Sequence, residues 1–187
     1  MSYRDGVTLR GMVAALELYF DTVAEQRIKT LWRALTAAGV NNQGEHSHGR
    51  HRPHVSLVAA HELDPVAIND ALSGLAVPPP IELTFGHVGQ FPGGVLWLGP
   101  APTNPLLELH AEVVRRLDAA GVEFWPLYRP GVWVPHCTLS MTARGDAIST
   151  GARVAFDVIP LRATLTSAAV ADHNREIYVP LTRTRAA

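Results

Sequence analysis

One five-residue stretch of this chain occurs twice. Pro53-His54-Val55-Ser56-Leu57 returns as Pro135-His136-Cys137-Thr138-Leu139, 82 positions later. The same offset lays the segment from Arg33 to Val40 over that from Arg115 to Val122, with six of eight residues identical. Gly11, Val13 and Leu16 fall on Gly93, Val95 and Leu98, Asp64 falls on Asp146, and Leu83, Thr84 and Val88 fall on Leu165, Thr166 and Val170, all without a gap. Self-similarity at a fixed period means that one supersecondary unit is built twice. The chain is therefore expected to be a single bilobed domain over residues 1–187, with repeat halves at about 11–92 and 93–182 related by a pseudo-twofold.

Each half repeats one order of elements. Met12 to Phe20 is apolar enough for a largely buried strand, and Asp21 or Thr22 caps a helix whose stripe is Val23, Ile28, Leu31, Trp32 and Leu35. Gly39 ends it. The polar run from Asn41 to Arg52, with His46, His48, Arg50 and His51, delivers the chain to a strand over His54 to Ala60. Asp64-Pro65 starts a short helix that ends near Gly74, and Pro78-Pro79-Pro80 is a stiff connector. Ile81 to Phe91 and Val95 to Leu98, joined by Pro92-Gly93-Gly94, make an antiparallel hairpin. The second half follows with a helix over Asn104 to Ala120, an approach segment over Phe124 to Trp133, a stretch weak for helix from Gly145 to Gly151, and a closing hairpin of Leu161 to Val170 with Glu176 to Leu181. Arg183 to Ala187 is a frayed tail. The pattern predicts an α+β fold: two mainly antiparallel sheets, helices packed outside, and a central cleft that the pentads share.

In a strand, residues i and i+2 share a face. His54 and Ser56 therefore project together, as do His136 and Thr138, while Val55, Leu57, Cys137 and Leu139 anchor the other face. Two imidazoles across one cleft supply a general acid and a general base, since an ordinary histidine pKa of about 6.5 lets one ring be neutral and the other protonated. The hydroxyls are placed to donate to phosphate oxygens, where charge builds. Arg52 on the entrance loop, and Tyr128, Arg129 and Trp133 ahead of the second pentad, are candidates for touching a phosphate or base, with packing as the competing role. Phe85 reads as core, and His87 is open to cleft or solvent. The histidines of the entrance loop invite a zinc reading, but no carboxylate or cysteine completes a set and the glycine-rich polar setting suggests a mobile surface loop, so no metal and no cofactor are expected.

Composition narrows the partners. A net charge of −1 argues against gripping a long duplex, because non-specific nucleic-acid affinity comes from neutralising phosphates. A short RNA end or a small phosphate ester stays compatible. The single cysteine, Cys137, makes no internal disulfide, no apolar run spans a bilayer, and Met1 to Arg10 lacks the order of a secretory signal, so a cytoplasmic monomer is expected.

Paired His-x-Ser/Thr-Leu motifs, one per half of a duplicated chain, resemble the 2H phosphoesterase superfamily, and within it the 2'-5' RNA ligase and cyclic phosphodiesterase group. The resemblance implies metal-independent chemistry on 2',3'-cyclic phosphates or 2'-5' phosphodiesters of RNA 3' ends or small cyclic nucleotides, with RNA ligation as the reverse reaction. It also implies that His54 and His136 are catalytic and that Ser56 and Thr138 hold the phosphate. Ser stands where Thr is commoner in the first motif. Ser140-Met141 follows the second, where many relatives carry a basic residue, which leaves the phosphate's positive partner unassigned. A nucleotide-binding module without turnover, or a metallohydrolase built on the histidine-rich loop, are the rival classes. Pseudo-symmetry does not say which histidine is the base.

Overall fold

The computed structural model describes residues 14–45 and 51–181. The strand start at Met12, the repeat matches at Gly11 and Val13, the loop residues His46, His48 and Arg50, and the tail from Arg183 lie outside the described residues. In order, the elements are β1 (Ala14–Phe20), α1 (Thr22–Ala37), β2 (His54–Ala60), α2 (Pro65–Ala71), β3 (Ile81–Phe91), β4 (Val95–Pro100), α3 (Asn104–Ala119), β5 (Cys137–Ser140), α4 (Asp146–Phe156), β6 (Leu161–Asp172) and β7 (Ile177–Pro180). Single 3-10 turns occupy Gln43–Glu45 and Pro126–Tyr128. No helix among the described residues is long and apolar enough to cross a membrane.

The fold is α+β and its strand pairs are antiparallel, as the hairpin and helix pattern predicts. The two expected sheets, however, are joined into one of seven strands, ordered β2-β1-β6-β3-β4-β5, with β7 also on β6. The joint is β6. Its first half pairs with β3, Leu161 to Leu165 against Phe85 to Ile81, and its second half pairs with β1 and β7. Leu83 sits opposite Ala163, its counterpart at an offset of 80, so the pseudo-twofold passes through this ladder.

That register corrects the gapless self-alignment. Glu17 faces Ser56 and Leu18 faces Val55, while Trp97 faces Thr138 and Leu98 faces Cys137. Leu18, and not Leu16, is therefore the structural counterpart of Leu98. The two missing positions are in the links: Asp21 alone joins β1 to α1, whereas Ala101, Pro102 and Thr103 join β4 to α3. A slip of two leaves every side chain on its own face, which is why the hydrophobic pattern conceals it.

Helix α1 begins at Asp21, whose carboxylate accepts from the amides of Val23 and Ala24 at 3.0 Å each, and Gly39 follows it at φ +76°. Its buried stripe is Ala24, Ile28, Leu31, Trp32 and Leu35. Val23 is 71% exposed, so Ala24 takes the place expected of it. The stretch judged weak for helix forms α4 over eleven residues. Gly151 explains both the low propensity and the helix: a Cβ there would lie 2.7 Å from Leu96, so the glycine lets α4 sit close on β4. A bulge between Phe85 and His87 separates two residues expected on one face, burying Phe85 and exposing His87.

Candidate active site

Strands β2 and β5 stand at opposite ends of the strand order, yet they approach each other directly. The Cys137 thiol meets the backbone of His54, so the first residues of the two pentad strands are in contact. Within each pentad the faces divide as alternation requires. Val55, Leu57, Cys137 and Leu139 are buried, and His54, Ser56, His136 and Thr138 are half-buried. Both imidazoles are fixed in the same way. His54 Nδ1 lies 2.8 Å from the Arg52 carbonyl, and His136 Nδ1 lies 2.7 Å from the Val134 carbonyl. A carbonyl only accepts, so each Nδ1 carries a proton and each Nε2 is the nitrogen left for other partners.

The two rings differ in their surroundings. His136 stands edge-on to Phe91 at 4.9 Å and 6.1 Å from the Trp97 ring. Trp97 lies flat over Gly89, where a Cβ would meet the indole at 2.2 Å. Burial, aided by the nearby charge of His54 and opposed by the Val134 carbonyl, pushes the His136 pKa down to about 4. The ring is neutral at physiological pH.

His54 faces a carboxylate. Glu17, on β1 opposite Ser56, is 2% exposed. Its Oε1 is 3.5 Å from His54 Nε2 and 2.9 Å from His173 Nε2, and its Oε2 accepts from the Tyr19 hydroxyl at 2.6 Å. Burial alone would raise the Glu17 pKa, but the charges of His54 and His173, with hydrogen bonds from His173 and Tyr19, bring it down to about 2. His51, buried at the end of the entrance loop, lies against His173 with ring centroids 4.0 Å apart and 5.1 Å from His54. The ligand atoms of His51, His54 and His173 all lie within 4.8 Å of one another. Glu17 and His173 were not anticipated from sequence. The available signal for Glu17 was one acid inside an otherwise apolar strand; His173, in a turn between strands, has none.

Of the four expected substrate contacts, two reach the pentads with their side chains, Tyr128 at the Ser56 hydroxyl and Trp133 at its carbonyl. Tyr128 hydrogen-bonds Ser56, and burial and the Glu17 charge raise its pKa to about 12 against that bond. Arg52 is turned away: its guanidinium contacts Glu25 at 2.8 and 3.2 Å and stacks on Tyr19 at 4.4 Å. Arg129 is held by Asp118 at 2.6 Å and lies over Phe124 at 4.3 Å. Trp133 is buried in the core, stacked on His110 at 3.9 Å, and donates from Nε1 to the Ser56 carbonyl at 3.0 Å. It positions β2 from behind. The short side chain and backbone partners of an edge strand are what bring these large residues to it, a tertiary arrangement that residue type does not reveal.

His110 completes that clamp by donating from Nε2 to the Tyr128 carbonyl at 3.0 Å. Its pKa is pushed down to about 4 by burial, against hydrogen bonds to the Tyr128 and Leu57 backbones. The unfolded chain takes up a proton near pH 6.5 that the folded chain resists until about pH 4. Stability from this neutral ring is thus complete above pH 6.5 and is lost as pH falls towards 4, by at most a few kcal/mol, at about 1.4 kcal/mol per unit. Thermal unfolding of wild type and His110→Phe at pH 7 and pH 4.5 checks this. The variant keeps a stacking ring and is expected to show the shallower fall; an equal fall in both would remove the assignment.

Two His-x-Ser/Thr strands, one from each repeated unit, thus come into contact, the arrangement expected of a phosphoesterase. A family model described as the 2'-5' RNA ligase superfamily matches residues 20–176, and the chain belongs to that superfamily of phosphoesterase enzymes. Among solved structures it is similar to a crystal structure described as a phosphoesterase, at 19% identity and TM-score 0.57, covering 92% of this chain and 96% of the other. It is similar also to LigT of E. coli in complex with 3'-AMP, at 19% identity and TM-score 0.58 over 91% and 95% of the two chains. The PDE domain of MHV ns2 shares the fold at 16% identity and TM-score 0.51, over 91% and 97%. No curated protein matches by sequence.

Proposed function

We propose that this protein is a metal-independent phosphodiesterase that opens 2',3'-cyclic phosphates, or related 2'-5' phosphodiesters, at RNA ends or in small nucleotides. It acts as a monomeric, single-domain cytoplasmic enzyme. The observation that carries the reading is the contact between the two pentads, with matched imidazoles pinned at Nδ1 and hydroxyls two residues on. That LigT was crystallised with 3'-AMP, ATP and NADP+ supports a nucleotide-sized substrate.

The unequal surroundings support a division of roles. His136, neutral among Phe91 and Trp97, is the base that takes a proton from the attacking water. His54, beside the ionised Glu17, is the acid that protonates the departing ribose oxygen. The water oxygen bonds to phosphorus as the bond to one ribose oxygen breaks on the opposite side, and Ser56 and Thr138 donate to the non-bridging oxygens. Run backwards, a 2'-hydroxyl in place of water gives ligation.

The test is wild-type protein on 2',3'-cyclic nucleotides, with product identification, with and without EDTA, across pH. Multiple turnover unaffected by chelation is expected. Because the base must be neutral, activity should persist as pH falls below 6.5 and drop only as it passes through about 4. Binding without turnover would leave a nucleotide-binding module. Loss on chelation that zinc restores would replace the two-histidine mechanism with a metallohydrolase.

A further inference from the structure

We infer that His51, His54 and His173 form a binding site for zinc, and that zinc bound there switches the phosphodiesterase off by occupying His54. Three side chains from separate parts of the chain converge: the end of the entrance loop, the first residue of β2, and the turn between β6 and β7. Their ligand atoms already lie within 4.8 Å of one another. Zn–N bonds of about 2.0–2.1 Å on a tetrahedral ion place the nitrogens about 3.3 Å apart, so the three rings draw together when the ion enters.

The outer partners are those a histidine-bound metal requires. A ligating imidazole holds its second N–H on a carbonyl or carboxylate, which fixes the tautomer and aims the ligating nitrogen. His54 does so through Nδ1 on the Arg52 carbonyl, leaving Nε2 for the ion. His173 does so through Nε2 on the buried Glu17, leaving Nδ1. At His51, Nε2 lies 3.0 Å from the Gln43 side-chain amide, whose buried oxygen makes no hydrogen bond among the described residues. Turned by 180°, that amide accepts from an Nε2–H, and Nδ1 ligates. The buried Glu17 carboxylate stands behind the set, 2.9 Å from His173 Nε2, and three imidazoles suit zinc over magnesium or calcium.

Binding and inhibition are separable. Zinc binding needs only the three imidazoles and their outer partners; inhibition rests on the reading of His54 as the general acid, since a metal on Nε2 leaves that nitrogen no proton to give. His136, against Phe91 and Trp97, is not a member of the cluster. The zinc site is thus built on one of two pseudo-equivalent histidines.

EDTA-treated protein titrated with Zn2+ against a chromophoric chelator, and with Co2+ followed by its visible ligand-field bands, measures binding without any turnover. One ion per chain is expected, with tetrahedral-type Co2+ bands, and His51→Gln and His173→Gln should each weaken binding by about tenfold or more. Zinc added to the turnover assay should inhibit over the same concentration range. His51→Gln should keep the metal-free rate within about threefold and resist inhibition by about tenfold or more. Binding that neither substitution alters, or no binding at micromolar zinc, would overturn the site. Zinc binding that raises the rate, or leaves it unchanged, would overturn the inhibitory role. If no cyclic nucleotide is hydrolysed, the functional reading fails while the metal titration still decides the site.

Discussion

His54→Ala and His136→Ala are each expected to lower kcat/KM on a 2',3'-cyclic nucleotide by about 10²- to 10⁴-fold, the usual contribution of a general acid or base. The two rings perform complementary halves of one displacement, so removing both should cost much less than the product of the single losses. Ser56→Ala and Thr138→Ala should cost less than either histidine. A donor to a developing oxyanion contributes about 10²- to 10³-fold at its strongest, and each hydroxyl shares the task. Steady-state kinetics on the four single variants and the double histidine variant measure this ordering. A His136→Ala enzyme within threefold of wild type would remove the two-histidine mechanism.

Glu17→Ala should destabilise the fold by about 3–5 kcal/mol, the cost of breaking a buried, paired charge. The carboxylate is 2% exposed and serves the Tyr19 hydroxyl and His173, and it faces His54, so its removal leaves Tyr19 buried without its acceptor. At about 2–4 °C per kcal/mol for a chain of this size, the thermal midpoint should fall by about 10 °C. Glu17→Gln, which keeps an acceptor for the tyrosine, should fall by less. The sign of the pH dependence also follows. The carboxyl pKa is lowered in the folded state, so its stabilisation is full above about pH 4.5 and is lost as pH falls through about 2. A midpoint within 2 °C of wild type in Glu17→Ala would show that the charge is not held by these partners.

Much of the fold is legible in the sequence. Apolar alternation found β2 and β5, and helix caps and stop glycines found α1 and α3 to within a residue or two and α2 to within about three, because these are local signals. Helix α4 was missed for a local reason too: Gly151 and the small polar residues around it have low helix propensity, and packing against Leu96 outweighs it. The division into two sheets failed because β6 is long enough to serve both, pairing with β3 in one half and β1 in the other. Alternation within one strand says which face is buried and says nothing of its neighbours.

The pairing of His54 with His136, the hydroxyl beside each, and the family were contained in the sequence, since a duplicated motif on strands fixes its faces by the two-residue period. What made the halves unequal came from the tertiary structure alone. Glu17 and Trp97 occupy equivalent places opposite Ser56 and Thr138, but the linker insertion conceals the correspondence, so the carboxylate beside one histidine and the indole beside the other could not be matched. His51 and His173 join His54 only through the closing of a loop and a turn. The strand period determines direction; long-range packing determines which charge or ring stands at the end of it, and that decides the chemistry of each imidazole.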